Sequence, residues 1–282
     1  MDMREQGRKA EQLRKLHQGP KILVFPNAWD VASARVLEDL GYPAIATSSA
    51  AVAFCLGYPD GQIITRDEML DMVGRIARAV RVPVTADMEA GYGTTVKDMA
   101  ETAKAIVNAG AVGPNLEDVT GEHEDSQVEL SLQVEKIRTI LEVSASLGVS
   151  LVINARTDIY LMPIGPEATR FDRTVERLRA YRQAGADCLF VPGLVDRNTI
   201  EKLVKAVAAP VNILVTQGCP PLRELEKMGV ARVSVGSGVM RATLALVRRI
   251  GKELQESGTY SSIFDGSIPY AELNRALAAR QS

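Results

Sequence analysis

Residues 82–118 read VPVTADMEAGYGTTVKDMAETAKAIVNAGAVGPNLED and contain two apolar, β-rich runs on either side of an amphipathic segment. A capping pattern at Thr95 and Asp98 begins the amphipathic segment, and Met99 and Ile106 share its apolar face. The two runs are almost continuously apolar, which is typical of parallel strands that are covered on both faces. This stretch therefore predicts a strand–helix–strand unit of a parallel sheet.

The same unit recurs along the chain, and eight strands are predicted in total. They are 22–25, 43–47, 82–87, 111–117, 149–154, 186–191, 211–215 and 231–236. Eight strand–helix repeats predict an α/β fold of the (β/α)8 TIM-barrel type. A doubly wound open sheet is the alternative, but no glycine-rich dinucleotide fingerprint follows the first strand.

We expect one α/β barrel domain over 1–282, with the barrel core at about 20–255. An N-terminal helix precedes the barrel, and a C-terminal helical extension covers 256–282. In the last barrel helix, at about 240–254, the apolar spacing predicts that Leu244, Val247, Ile250 and Leu254 point inward.

The composition excludes several classes of protein. A formal net charge of −2 provides no general attraction for nucleic acid or anionic lipid. No apolar run approaches the roughly 18 residues that span a membrane, and the polar N-terminus does not resemble a secretory signal. Cys55 and Cys188 lie in apolar runs and are expected to be inert buried thiols, which fits a reducing cytoplasm.

Carboxylates follow two neighbouring predicted strands. Asp87 and Glu89 end the third strand and point to the same side, because side chains alternate along a strand. Glu117 and Asp118 end the fourth strand and point to opposite sides, and we assign Glu117 to the site. Oxygen ligands with almost no nearby histidine or thiol favour Mg2+, with Mn2+ as the alternative, and a 2-oxo acid could supply two further oxygens.

Groups for binding an anionic substrate follow other strands. Arg156 is expected to grip a substrate carboxylate as a fixed fork. Backbone N–H groups of Ser48, Ser49 and Ala50 could bind a second anionic oxygen. Asn212, within the seventh strand, is a further candidate for substrate binding, although a strand asparagine can simply bond its neighbours.

For four other polar residues a structural interpretation stands beside a functional one or replaces it. Tyr92 could donate its hydroxyl to substrate or serve packing. Asp60, between Pro59 and Gly61, is a turn residue when it is considered alone. Asp158 is expected to be a structural acid, and His123 is either a general acid or a solvated surface residue.

Several segments, in this order, resemble the signature motifs of the isocitrate lyase/phosphoenolpyruvate mutase superfamily, between about residues 10 and 255. They are Pro-Asn-Ala-Trp-Asp (26–30), Thr-Ser-Ser-Ala (47–50), Leu-Gly-Tyr-Pro-Asp (56–60), Asp-Met-Glu-Ala-Gly-Tyr-Gly (87–93), Leu-Glu-Asp (116–118) and Asn-Ala-Arg-Thr-Asp (154–158). The resemblance implies an α/β barrel enzyme with a Mg2+ site and a 2-oxo-acid or enolate-type intermediate. It also implies a homotetramer, a dimer of dimers that exchange the eighth helix.

The resemblance assigns roles residue by residue. Asp87 would bind the metal directly, and Asp60, Glu89 and Glu117 would act through metal-bound water. Arg156 and the backbone of residues 48–50 would bind substrate.

The sequence also departs from the pattern of that superfamily. Glu89 stands where the superfamily more often has aspartate. The loop after Asp118 has no cysteine, which argues against an isocitrate or methylisocitrate lyase. Val119 and the acidic residues that follow it replace a basic segment, which argues against carbon–phosphorus chemistry.

Among the branches of the superfamily, the sequence most resembles the one that includes oxaloacetate decarboxylases and uncharacterised lyase-like members. We predict a Mg2+-dependent lyase or decarboxylase acting on a small 2-oxo or 2-hydroxy dicarboxylate. The alternatives are an enzyme of phosphonopyruvate or phosphoenolpyruvate that acts on a C–P bond, a metal-dependent aldolase of another barrel family, and a non-catalytic 2-oxo-acid binding protein.

Overall fold

A computed structural model of the protein describes residues 2–121, 127–162 and 164–278. Its eight strands form one parallel sheet in the order β1-β8-β7-β6-β5-β4-β3-β2. They are β1 Leu23–Phe25, β2 Ile45–Ala46, β3 Val84–Asp87, β4 Gly113–Leu116, β5 Asn154–Arg156, β6 Cys188–Val191, β7 Val211–Leu214 and β8 Arg232–Ser234. A parallel bridge between Ala28 and Thr47, just after β1 and β2, brings the two edges together. The predicted (β/α)8 barrel is confirmed.

Helices surround this barrel and follow its strands. They are α1 Met3–Leu16, α2 Val31–Asp39, α3 Ser49–Cys55, α4 Arg66–Ala79, α5 Val96–Ala109, α6 Leu130–Ser146, α7 Arg170–Ala184, α8 Arg197–Val207, α9 Leu222–Lys227, α10 Gly238–Lys252, α11 Ser261–Phe264 and α12 Tyr270–Ala278. Thr95 forms the predicted capping box with Asp98, and Thr65 forms one with Glu68. Within the described residues, no helix is long and apolar enough to cross a membrane.

The predicted N-terminal helix lies across the N-terminal ends of the barrel strands. Ala10 and Leu13 of α1 are buried. The Gln6 side chain donates hydrogen bonds to the carbonyls of Val107 (2.9 Å), in the last turn of α5, and of Ala111 (2.8 Å), just before β4. The opposite, C-terminal end of the barrel is therefore the end that is available for a functional site.

The packing of α10 differs from the prediction. Met240 is its only buried residue, whereas Leu244, Val247 and Leu254 are 46%, 60% and 48% exposed. The inward orientation predicted for these residues is wrong, because α10 leaves the barrel surface and its apolar face stays about half exposed.

Two smaller expectations also need correction. Cys188 is buried in β6, but Cys55 is exposed at the end of α3, so only one of the two thiols is in the core. The fifth strand begins at Asn154 rather than at residue 149. Val149 and residues 151–153 are nevertheless buried, and the Val152 N–H donates to the Val112 carbonyl at 2.9 Å.

Candidate active site

A cavity of about 420 Å³ lies at the C-terminal ends of the barrel strands. This is the end at which the active sites of such barrels are found. It is lined by eight of the predicted site residues: Ser48, Ser49, Ala50, Asp60, Asp87, Glu89, Glu117 and Arg156. Tyr92 and Asn212 do not line it.

Asp87, the last residue of β3, is held by one of its two carboxylate oxygens. Oδ2 accepts hydrogen bonds from the Ser49 backbone N–H (3.1 Å) and from the Ser49 hydroxyl (2.9 Å). The Asp87 N–H donates to the Thr47 hydroxyl at 3.0 Å, which fixes the backbone as well. Oδ1 is buried and has no hydrogen-bond partner within the described residues. One oxygen is therefore left without a donor on a carboxylate whose orientation is fixed.

Glu89 is buried close to two other carboxylates. Removal from water, together with the negative charges of Asp87 and Asp60, raises the pKa of Glu89 to about 8. The Tyr92 hydroxyl donates to Glu89 Oε1 at 3.3 Å. Tyr92 thus contacts a cavity-lining carboxylate rather than the cavity itself, and the structure does not support the predicted direct contact with substrate.

Arg156 lies between two acids. Its Nη1 pairs with Glu117 Oε1, and its Nη2 and Nε lie 2.7 and 2.9 Å from Asp158 Oδ1. Burial opposes the charge, but the carboxylates of Asp158, Glu117 and Asp87 raise the pKa of Arg156 above its usual range. The guanidinium is therefore a fixed, permanent charge on the cavity wall.

Glu117 and Asp118 point in different directions, as the alternation along β4 predicted. Burial raises the pKa of Glu117, and the charge of Arg156 counteracts this effect. Asp118 is fully buried behind the lining of the cavity. There it accepts hydrogen bonds from Arg177 Nε and from the Tyr181 hydroxyl, both at 2.7 Å. Asp118 fastens α7 to the barrel, and only Glu117 lines the cavity.

Three of the predicted substrate-binding groups have other partners. The Ser48 N–H donates to the Ala28 carbonyl at 3.3 Å, and the Ser49 N–H is used by Asp87. Ala50 lies in the first turn of α3, where N–H groups have no intrahelical acceptor, so its N–H is the one that can meet an anion. Asn212 is fully buried and bonds Ser234 at 3.3 Å, so the predicted contact of Asn212 with substrate is not supported.

Comparisons with known proteins agree with this arrangement. A family model described as phosphoenolpyruvate phosphomutase matches residues 13–255. An uncharacterised protein of Mycobacterium tuberculosis is 31% identical over 93% of this chain and 93% of its own length. An oxaloacetate decarboxylase of Rhodopseudomonas palustris is 29% identical over 91% of this chain and 85% of its own. The crystal structure of a candidate lyase/mutase from Burkholderia cenocepacia has a TM-score of 0.90 and 38% identity, and the match covers 98% of both chains.

The chain belongs to the isocitrate lyase/phosphoenolpyruvate mutase superfamily. It is an enzyme of this lyase and mutase type, as predicted. Members of this superfamily typically depend on a divalent metal ion.

The donor set fits a hard cation that keeps most of its water. Five carboxylates and one guanidinium line the cavity, and Asp87 Oδ1 is a buried oxygen without a donor. In the described part of the chain, no three acidic, histidine or cysteine side chains are close enough to form a complete metal cage. Mg2+ suits this arrangement, because it commonly takes one or two protein carboxylates and retains several waters.

Two supporting residues on α6 were missed by the sequence analysis. The Lys136 ammonium is buried and lies 3.4 Å from the Ala90 carbonyl and 3.3 Å from that of Gly93. The Gln133 side chain donates to the Glu117 carbonyl at 3.0 Å. Both residues share the inward face of α6 with Ile137. Polar residues at helical spacing on an apolar face were the available signal. His123 and its neighbours in the loop after β4 lie outside the described residues.

Proposed function

We propose that the protein is a Mg2+-dependent lyase that decarboxylates or cleaves a small 2-oxo or 2-hydroxy dicarboxylate of the oxaloacetate type. One observation carries the proposal: the cavity at the C-terminal ends of the strands holds an excess of carboxylates over cations. These carboxylates are Asp60, Asp87, Glu89, Glu117 and Asp158. Similarity to an oxaloacetate decarboxylase supports the same reaction class. The free state of all three cysteines is in keeping with a cytoplasmic location.

In this proposal the acids bind the metal ion and its water, and Arg156 and one backbone N–H bind the substrate. Asp87 would hold Mg2+ directly, and Asp60, Glu89 and Glu117 would hold its water. Bound Mg2+ supplies Lewis-acid stabilisation of negative charge on the 2-oxo group. Arg156 binds a substrate carboxylate, since Glu117 and Asp158 fix its guanidinium in one orientation on the wall.

The proposed chemistry places few demands on the protein. In the decarboxylation of oxaloacetate the C3–C4 bond breaks, CO2 leaves, and the electron pair remains on the pyruvate enolate. A proton from solvent then bonds to C3 and yields pyruvate. Arg156 and the Ala50 N–H keep the bound acid oriented while charge moves towards the C2 oxygen, and fixed charges of this kind are effective in a site that excludes bulk water.

Pyruvate formation from oxaloacetate tests the proposal. Wild-type protein with Mg2+ should exceed the rate of Mg2+ alone, lose the excess on chelation with EDTA, and regain it when Mg2+ is restored. Asp87→Asn should abolish the excess, and Asp71→Asn, which removes a charge from the exposed surface of α4, should not. Rates equal to the Mg2+ background in all proteins would exclude this substrate. Turnover of phosphonopyruvate, followed by phosphorus NMR, would instead support the C–P reaction, and binding of 2-oxo acids without turnover would support a binding protein.

We also propose that the chain forms a homotetramer in which α10 is exchanged between subunits. The support is the apolar face of α10, which is solvent-exposed in the single chain. Leu244 and Val247 on this face are about half exposed. Apolar surface of this extent normally marks an interaction site.

A further inference from the structure

The cavity has an acidic side and an apolar side. Four of the five carboxylates lie at the ends of β3 and β4 and in the loop after β2, and the fifth, Asp158, follows β5 and is paired with Arg156. The apolar side is formed at the ends of β5, β6 and β7 by four residues that we call the apolar wall: Leu161, Met162, Phe190 and Leu214. The order of the strands places the apolar wall beside the arginine of the site, because Arg156 ends β5 and the wall residues lie on or after β5, β6 and β7.

Three residues of the apolar wall contact a neighbouring strand or the loop after one. Phe190 pairs with Arg156 across β5 and β6, and the guanidinium carbon lies 5.6 Å from the centre of the Phe190 ring. Leu161 packs so closely on the loop after β6 that a Cβ atom on Gly193 would lie 2.7 Å from its Cα. Leu214 similarly lies 3.2 Å from a Cβ position on Gly236. Phe190 thus brings the apolar lining of the cavity up to the guanidinium of Arg156.

The charges on the cavity restrict what this surface can accept. Among the described lining residues, Arg156 is the only cation, and Glu117 and Asp158 already pair with it. A second anionic group against the wall would have no partner, and burial of an unpaired charge is strongly unfavourable. An alkyl group there would be buried favourably, with about fourfold tighter binding for each methylene.

We propose that the apolar wall selects substrates that carry an alkyl group of two or three carbons on C3. This alkyl group would point away from the 2-oxo and carboxylate oxygens that chelate the metal. This inference rests on the proposed function for the position of the oxo acid. The cavity volume of about 420 Å³ is within the range of sites that hold drug-sized ligands, so space remains beyond a four-carbon acid. In the proposed reaction the substrate is then an oxaloacetate with the alkyl group on C3. Loss of C4 as CO2 and protonation of C3 give a longer 2-oxo acid.

A binding comparison tests the inference without turnover. 2-Oxopentanoate and 2-oxoglutarate have chains of the same length and differ at the end, where one has a methyl group and the other a carboxylate. By calorimetry in the presence of Mg2+, we expect 2-oxopentanoate to bind at least tenfold more tightly than 2-oxoglutarate. The affinity should also increase about fourfold at each step from pyruvate to 2-oxobutanoate to 2-oxopentanoate. Equal or tighter binding of 2-oxoglutarate, or no binding of any of these acids, would overturn the inference.

Substitutions in the apolar wall test whether these residues cause the preference for 2-oxopentanoate over 2-oxoglutarate. Leu214→Lys should reverse the preference between the two five-carbon acids, and Met162→Lys, on a different loop, provides the same test if the first variant does not fold. Leu222→Lys, at a 42% exposed position on α9, should leave the preference unchanged. An unaltered preference in a folded wall variant would contradict the assignment. If oxaloacetate is not turned over but 2-oxopentanoate is still preferred, the proposed reaction fails while the wall assignment stands. If oxaloacetate is turned over but 2-oxopentanoate is not preferred, the proposed reaction stands and the wall assignment fails.

Discussion

Two residues in the turn after β3 have left-handed backbone conformations although neither is glycine. The φ angles are 48° at Glu89 and 57° at Tyr92. Such conformations are unfavourable for residues with a Cβ atom, typically by about 1–3 kcal/mol each, and they concentrate at functional sites. Here the turn brings the Glu89 carboxylate back beside Asp87, so the strained conformation serves to place the acids.

Substitution of Gly91, in the same turn, tests whether the conformation of the turn tolerates a residue with a Cβ atom. Its φ is 95°, and an added Cβ atom would lie 2.0 Å from Met99 Cε on α5. We expect Gly91→Ala to lower the free energy of unfolding by about 2–4 kcal/mol, because backbone strain and overpacking add. Urea denaturation measures this change.

A second substitution separates the two contributions. Met99→Ala in the Gly91→Ala background removes the clash but not the backbone strain. It should therefore be less harmful than Met99→Ala is in the wild type. Simple additivity of the two substitutions would show that the contact with Met99 is not the cause.

The acids of the site could be predicted residue by residue, but their partners could not. Glu117 and Asp118 diverge as alternation predicted, but β3 ends at Asp87, and Glu89 reaches the predicted side through a left-handed turn rather than through alternation. The pairing of Arg156 with Glu117 depends on the distance between neighbouring strands and on side-chain rotamers, and a sequence specifies neither directly. For the same reason, the use of the Ser49 amide by Asp87 was not foreseen.

At the scale of elements, α6 acts as a support for two strand ends. Gln133 binds the backbone after β4, and Lys136 binds the turn after β3. Burial lowers the pKa of Lys136, and the charge of Asp98 counteracts this effect. One face of α6 thus fixes the positions of both segments that carry acids of the site, the turn after β3 and the backbone after β4.

Lys136→Met should impair the site more than the fold. The carbonyls of Ala90 and Gly93 lose a buried donor, which typically costs about 1–3 kcal/mol, and the turn that carries Glu89 loses a restraint. We expect kcat to fall at least tenfold and the affinity for Mg2+ to weaken, with unfolding free energy changed by no more than about 3 kcal/mol. Steady-state kinetics, calorimetry and urea denaturation supply these values. Lys202→Met, on the exposed surface of α8, is the control, and a matching loss of activity in that variant would count against the role of Lys136.

The helices show where prediction from apolar spacing succeeds and where it stops. In α5, the predicted face of Met99, Ala103 and Ile106 is fully buried. In α10, the spacing identified the apolar face correctly, but Leu244 and Val247 on that face are exposed. Periodicity reveals which side of a helix avoids water, and it contains no information on whether the same chain or another chain covers that side.

At the scale of the whole molecule, α10 exposes an apolar face within the described residues, and the proposed assembly can be tested there. Leu244→Glu should convert the proposed tetramer into a smaller species, because a buried carboxylate without a partner opposes association. Light scattering after size-exclusion chromatography gives the mass. Ala245→Glu places the same charge on the opposite, basic face of α10 and should leave the mass unchanged. A monomeric wild-type protein, or equal effects of both substitutions, would argue against assembly through this face.

Beneath the active site, a buried cation joins the barrel interior to α1. Arg232 of β8 is 1% exposed and donates to Asn115 Oδ1 at 3.2 Å, with its guanidinium carbon 4.6 Å from the centre of the Phe25 ring. Its Nη1 lies 3.5 Å from His17 Nε2, and His17 Nδ1 bonds the Leu13 carbonyl at 2.8 Å. His17, just after α1, is thus confined between a carbonyl and a guanidinium, and a protonated imidazole would face that positive charge.

This arrangement makes stability depend on pH. Burial, followed by the charges of Arg232 and Arg14, lowers the pKa of His17 from 6.5 to about 3. Below about pH 6.5 the unfolded chain takes up a proton at His17, whereas the folded chain does so only near pH 3. The contribution of His17 to stability is therefore complete above pH 6.5 and is lost as the pH falls, by about 1.4 kcal/mol per unit. His17→Gln cannot be protonated, so its unfolding free energy should decrease less between pH 7 and pH 5 than that of the wild type, by about 2 kcal/mol. Urea denaturation at these two values measures the difference. Parallel pH profiles for the two proteins would mean that His17 is protonated in the folded state, with α1 free to move away from Arg232.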